Sequence, residues 1–127
     1  MIPNDLKYTK DHEWARQEDG KVRVGITDHA QKELGDVVFV ELPEVGRAVK
    51  KGELVATVES VKAVGEVFAP VSGEILEVNK TLESSPDLVN KDPYGEGWIF
   101  VIRPENPAEL DELLDAEGYK ALVGGEG

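Results

Sequence analysis

Apolar and polar positions alternate along most of this chain in short runs, and each run is cut off by glycine or proline. The 13 glycines and 7 prolines leave little room for long helical periods and predict a β-rich body. "EWARQEDGKVRVGI" reads as a hairpin whose two-residue turn is Asp19-Gly20, a pair suited to positive φ angles. Counting outward from that turn pairs Gln17 with Val22, Ala15 with Val24 and Glu13 with Ile26. Glu13 therefore shares a face with Ala15, Val22, Val24 and Ile26, an apolar setting for a carboxylate.

Helical signals are short. "TDHAQKELG" predicts a helix with a relaxed capping box between Asp28 and Gln31 and a stop at Gly35. "DVVFVELP" predicts a mostly apolar strand closed by Pro43, and "SSPDLVN" a helical turn with Ser85 as cap and Pro86 first inside. "GWIFVIRP" predicts a strand. "NPAELDELLDAEGYKAL" then predicts a helix capped by Asn106, started by Pro107 and boxed by Glu109. Its stripe of Leu110, Leu113 and Leu114 would pack on the β body, and "VGGEG" would fray.

An internal echo stands out. "KGELVATVE" from Lys51 and "SGEILEVNK" from Ser72 each run from a turn glycine through a glutamate into β-type apolar residues. Lys62 falls midway between Gly52 and Gly73, at the turn of a predicted strand–turn–strand. Two such halves folded on each other would form a small sandwich about a quasi-two-fold axis, with Lys62 at one exposed tip.

Composition narrows the chemistry. At 127 residues, 40% hydrophobic and 31% charged, the chain suits one globular domain, and no apolar run is long enough to span a bilayer. The N-terminal residues show neither a secretory nor an Arg-rich targeting pattern, so a cytoplasmic protein is expected. With 26 acidic against 14 basic residues the net charge is −12, which disfavours nucleic acid and anionic membranes and favours basic protein surfaces. There is no cysteine, so any redox chemistry would have to come from an attached group. His12 and His29 lack metal-site spacing, and no metal is expected. Trp14, Phe39, Phe68 and Trp98 have no basic patch beside them and read as core or rim packing.

Three roles are open to Lys62: a solvating surface charge, a catalytic amine, or an attachment point. Glu59 and Glu66 flank it, the opposite of what lowers an amine's pKa, so catalysis by the bare lysine is disfavoured.

"HEW", "VGITDHAQKELGDVVFVELPEVG", "ESVKA", "APVSGEILEVN" and "DPYGEGW" stand in the order and spacing of one family: the chain resembles the glycine cleavage system H proteins nearly end to end. The resemblance implies a mainly β barrel-sandwich hybrid, a flattened sandwich of two antiparallel sheets with short helices and a C-terminal helix. It implies one lipoyl-carrier domain over residues 1–127, with a core from about residue 20 to about 103 and a C-terminal helical segment from about 106 to 122.

It further implies lipoate in amide linkage on Lys62, within a lipoylation motif of Glu59, Ser60, Val61 and Ala63. The carrier would move an aminomethyl group from a pyridoxal-phosphate glycine decarboxylase to a tetrahydrofolate-dependent aminomethyltransferase, dihydrolipoamide dehydrogenase would reoxidise the dithiol, and a separate enzyme would attach the lipoate. The chain itself would be a non-catalytic monomer. In the family the loaded arm folds into a surface cleft, for which motif matching nominates Glu13, His29 and Glu66. Each has a plainer reading as well: a strand-end, helix-surface or solvated residue.

Other functions compete less well. A biotinyl carrier places methionines beside its lysine, whereas Val61 and Ala63 stand here; an acyltransferase-type lipoyl module has an acidic residue just before the lysine and sits on a longer, linker-bearing chain. A donor passing lipoate to other enzymes is an alternative use of the same lysine. A hydrolase built on Glu13 and His29 has no nucleophile-and-orienter motif.

Overall fold

The computed structural model describes residues 1–124 and consists mainly of two antiparallel sheets. Strands β1 (Lys7–Tyr8), β2 (Glu13–Glu18), β3 (Lys21–Ile26), β5 (Ala48–Val49), β8 (Gly73–Val78) and β9 (Phe100–Pro104) form the larger sheet, in the order β1-β2-β3-β9-β8-β5. Strands β4 (Val37–Glu41), β6 (Leu54–Ser60) and β7 (Val64–Phe68) form the smaller one, in the order β4-β6-β7.

The first hairpin has the predicted register, with Gln17 opposite Val22, Ala15 opposite Val24 and Glu13 opposite Ile26. Asp19 and Gly20 both take positive φ, 50° and 78°, the geometry that matches the right-handed twist of the strands they join. Val22, Val24 and Ile26 point into the main core, where they meet Val40, Val58 and Val67 of the smaller sheet and Ile75, Phe100 and Ile102 of the larger one. Full burial of such side chains contributes about 1.5–3 kcal/mol each. Alternate residues of β2 serve a second cluster: Trp14 packs with Leu6, Tyr8, Ala116 and Tyr119 on the outer face of the larger sheet.

Helix α1 (Asp28–Leu34) is capped by Thr27, one residue before the expected cap. Thr27 has extended backbone, and its hydroxyl accepts the N–H of Ala30. Asp28 and Gln31 do pair, at 2.8 Å, but side chain to side chain within the first turn. Gly35 ends the helix at φ 83° as anticipated.

The "SSPDLVN" region also differs from its reading. Ser85 terminates α2 (Thr81–Ser84), donating its N–H to Thr81, and α3 (Leu88–Lys91) begins after Asp87. Proline disfavours helical geometry in the residue before it, so α2 stops at Ser84, and Pro86 and Asp87 form a turn before α3 begins.

The C-terminal segment is helical in two pieces, a 3-10 helix (Pro107–Glu112) and α4 (Ala116–Val123), capped by Asn106 and Asp115. Between them Leu114 exchanges both backbone hydrogen bonds with Tyr8 at 2.8 Å, so pairing with β1 overrides local helix propensity. Glu109 does not close a capping box; its carboxylate accepts the N–H of Ser72 at 2.8 Å. Leu110 and Leu113 pack on the main core and Leu114 on the second cluster. Of the expected frayed tail, Val123 belongs to α4 and Gly124 caps it, while 125–127 lie outside the described residues.

The two glycines of the echo are not equivalent. Gly52 sits in a turn at φ 87°, whereas Gly73 lies within β8, where a Cβ would run into the carbonyl oxygen of Arg103. Of the four aromatics, Trp14 is buried and Trp98 lies under the Arg23 guanidinium at 4.4 Å. Phe39 is 51% exposed on β4, beside the register shift that also leaves Val38 outside.

Candidate functional site

Lys62 occupies the turn between β6 and β7, and the turn is pinned from inside and outside. Ser60 donates its backbone N–H to the Ala63 carbonyl at 2.8 Å, and its hydroxyl accepts the N–H groups of Lys62 (3.3 Å) and Ala63 (3.0 Å). Val61 donates its N–H to the Asp36 carbonyl at 3.1 Å, tying the tip to the segment after α1. Glu59 lies on β6 opposite Val64 and Phe39. Val61, Lys62, Ala63 and Val64 are all exposed, Val61 to 71%, so the amine stands on a fixed and accessible platform.

The lysine stem leans over the end of α1, where a Cβ added to Gly35 would lie 3.4 Å from its Cε. Leu34, the residue before Gly35, belongs to the wall of a cleft of about 220 Å³ between α1 and β7. Asp11 and His12 line it from the loop before β2, Glu33 and Leu34 from α1, and Gly65 and Glu66 from β7. Leu34 packs so close to β7 that a Cβ at Gly65 would meet its methyls at 3.1–3.2 Å.

Of the three residues nominated by motif, the structure brings only Glu66 to this cleft. His29 sits behind its wall, with its ring 4.7 Å from that of His12 and its Nε2 3.7 Å from a Glu33 oxygen. Glu13 opens on a neighbouring pocket of about 380 Å³, formed with Phe68, Ala69, Leu113 and Leu114, and Asp11 borders both spaces.

Glu13 is 1% exposed, yet both its oxygens are satisfied: Oε1 by the Thr9 hydroxyl at 2.5 Å, Oε2 by the Phe68 N–H at 2.9 Å. Burial pushes its carboxyl up to about 7, against the downward pull of those two hydrogen bonds. His12 is held below the usual histidine range, first by burial and then by the nearby His29.

Sequence reasoning missed Asp11, His12 and Glu33. Glu33 follows Ala30 by three positions and precedes Leu34 by one, so it shares the cleft-facing side of α1, a periodicity visible in "DHAQKEL". His12 gave no such signal, because its placement depends on a left-handed backbone, φ 69°, in a loop.

The arrangement fits a long, amide-linked arm: an exposed amine on a rigid tip, a cleft close to its stem, and carboxylates along that cleft for a cationic end. Among the described residues, no group of acidic, histidine or cysteine side chains could hold a metal ion.

Comparison with known proteins agrees with this geometry. The family model for the glycine cleavage H-protein matches residues 6–125. The chain is 63% identical over 125 residues to the glycine cleavage system H protein of a Thermus thermophilus strain, covering 98% of each. It is 56% identical over 122 residues to that of Oceanobacillus iheyensis, covering 96% of this chain and 97% of the relative. The crystal structure of a glycine cleavage system H protein from Mycobacterium marinum superimposes with a TM-score of 0.90 at 46% identity, covering 97% of this chain and 99% of that one. The chain belongs to the glycine cleavage H-protein family.

Proposed function

We propose that Lys62 is the residue through which this chain works as the lipoyl carrier of the glycine cleavage system. The carrying observation is the position of Lys62, exposed on a hydrogen-bonded turn beside a cleft. Family membership makes the chain a lipoate-bearing carrier subunit rather than a catalyst. Bound lipoate supplies a reducible disulfide and a sulfur that takes up the aminomethyl unit.

The protein's own residues present and shelter that arm. Ser60 and the Asp36 carbonyl fix the direction in which the Lys62 stem leaves the turn. Tethering then keeps the arm at high local concentration before any docked partner. Asp11, Glu33 and Glu66 offer the cleft a negative lining suited to an amine, and Glu13, joined to it across Asp11, is a buried carboxyl ready to ionise beside a cation.

We extend the reading to one lipoyl-carrier domain over the whole chain, acting in the cytoplasm as a monomer. Its partners are the pyridoxal-phosphate decarboxylase, the aminomethyltransferase, dihydrolipoamide dehydrogenase and the lipoate-attaching enzyme. No described helix is long and apolar enough to cross a membrane.

Intact-mass analysis of protein from lipoate-fed cells tests the assignment. One lipoyl amide is expected, absent from Lys62→Arg. A lipoyl group on another lysine, or a biotinyl mass, would overturn it.

A further inference from the structure

Tyr119, on α4, is fully buried and stacked on Tyr8 with ring centroids 4.7 Å apart. Its hydroxyl lies 2.7 Å from Thr27 Oγ1 and 2.8 Å from His12 Nδ1, so one atom of the C-terminal helix touches both the cap of α1 and a wall of the cleft.

Hydrogen-bond accounting gives this chain a direction. Thr27 is fully buried, and its Oγ1 already accepts the Ala30 N–H at 3.2 Å. Its own hydroxyl hydrogen then has one acceptor within reach among the described residues, the Tyr119 oxygen. The opposite direction would strand that hydrogen in the interior, at the full desolvation cost of a buried hydroxyl. Thr27 therefore donates to Tyr119, and Tyr119 donates to His12 Nδ1. The histidine must carry its hydrogen on Nε2.

The rest of His12 is arranged to keep the ring in place. Its backbone sits at φ 69°, a conformation that non-glycine residues adopt only when neighbours enforce it. Its carbonyl accepts the Thr27 N–H at 3.0 Å, and its N–H reaches the Thr9 carbonyl at 3.2 Å. The charged and titratable groups facing it are His29, Glu33, Asp11 and Tyr119. No hydrogen bond among the described residues occupies Nε2, while the other polar groups of the cleft wall, Asp11, Glu33 and Glu66, are carboxylates.

We propose that Tyr119 is a positioning residue for the carrier arm, holding His12 as a neutral imidazole whose free Nε2–H donates to an acceptor atom of the arm in the cleft. The carboxylates suit a cation; a neutral donor among them suits the arm's amide carbonyl, its strong acceptor. The proposal rests on Lys62 bearing lipoate and on the arm using this cleft.

Nitrogen-resolved NMR of the histidines tests it in two steps. In the unmodified chain, independent of any lipoate, His12 should show a protonated Nε2 and a bare Nδ1. Tyr119→Phe, which keeps the stack on Tyr8, should mix the two tautomers and move the His12 titration, with thermal melting confirming the fold. Thr27→Ser should keep the wild-type tautomer, since it retains the hydroxyl.

In the lipoylated chain, the Nε2–H should shift and exchange more slowly with solvent, with contacts from the arm to the ring. Tyr119→Phe should lower the docked fraction roughly fivefold, the scale of one hydrogen bond. A wild-type Nδ1–H tautomer, an unchanged tautomer in Tyr119→Phe, or an Nε2–H indifferent to lipoylation would each overturn the proposal. Lipoate found by mass on a different lysine would instead sink the attachment reading, and with it the role toward the arm, while leaving the tautomer measurement intact.

Discussion

Glu13 accepts the backbone N–H of Phe68 at 2.9 Å, which links the first hairpin to the last residue of the strand that descends from Lys62. The two residues are 55 positions apart, and the bond holds the far end of β7 while Ser60 holds its near end. A carboxylate buried among valines is costly unless it is fully hydrogen-bonded or neutral, and this one has both routes open.

The first prediction concerns pH. The folded-state value of Glu13 is raised from 4.5 to about 7, so the fold favours the protonated acid. Its contribution is intact below pH 4.5 and is lost as pH rises through 7, by at most about 3 kcal/mol. In Glu13→Gln the side chain keeps its shape, can accept from Phe68 N–H and cannot ionise. Denaturant unfolding across this range should show wild type losing stability relative to Glu13→Gln; parallel curves would mean that Glu13 ionises normally.

The second concerns how the lysine is presented. The Ser60 hydroxyl meets both Lys62 and Ala63 N–H groups and donates to the Ala63 carbonyl at 3.2 Å. Ser60→Ala should cost about 1 kcal/mol of local order and slow enzymatic lipoylation roughly fivefold, while Lys62 stays exposed. Ser60→Thr should retain most of the rate. Lipoylation kinetics followed by mass spectrometry decide it, and an unaffected Ser60→Ala would show that the enzyme does not need a preset turn.

Much of the fold was legible wherever local chemistry and tertiary context agree. Asp19-Gly20 dictated a turn, and the turn dictated the register that buried Glu13. Lys62 could be placed at a tip because strand patterns flank it on both sides. The misreadings arose where a distant partner decided the outcome. Leu114 leaves the helix because Tyr8 supplies a strand partner, and Glu109 caps Ser72 rather than its own helix. Thr27 outcompeted Asp28 as cap because its extended backbone aims the hydroxyl at Ala30 N–H. The cleft was only half legible: Glu66 follows from motif spacing, but His12 and Asp11 reach it through a loop conformation that no periodicity reveals.

The third prediction separates Gly73 of the echo from its counterpart Gly52 and from the plain turn glycine Gly20. Gly73→Ala would force β8 away from the Arg103 carbonyl on β9, next to the Gly73–Pro104 pair, and should destabilise the protein by about 3 kcal/mol. Gly52→Ala and Gly20→Ala meet no neighbour and pay only for their positive φ, about 1 kcal/mol each. Equal midpoint shifts in urea would contradict the close approach of the two strands.

The last prediction concerns docking. Asp36, Glu33 and Glu66 are exposed around the Lys62 turn and the cleft beside it, on a chain of net charge −12. A partner that admits the arm must accept this acidic border, which calls for a basic rim on its side. Exposed charges separated by more than about 8 Å are screened at physiological ionic strength, so affinity for the decarboxylase should fall by roughly an order of magnitude between low and high salt. Neutralising the pair in Glu33→Gln/Asp36→Asn should flatten that dependence with little effect on binding at high salt. Isothermal titration over a salt series provides the check. A slope unchanged by the double substitution would move the docking face away from this edge of the molecule, and the exposed Val61 and Val64 would then have to sit outside the contact as well.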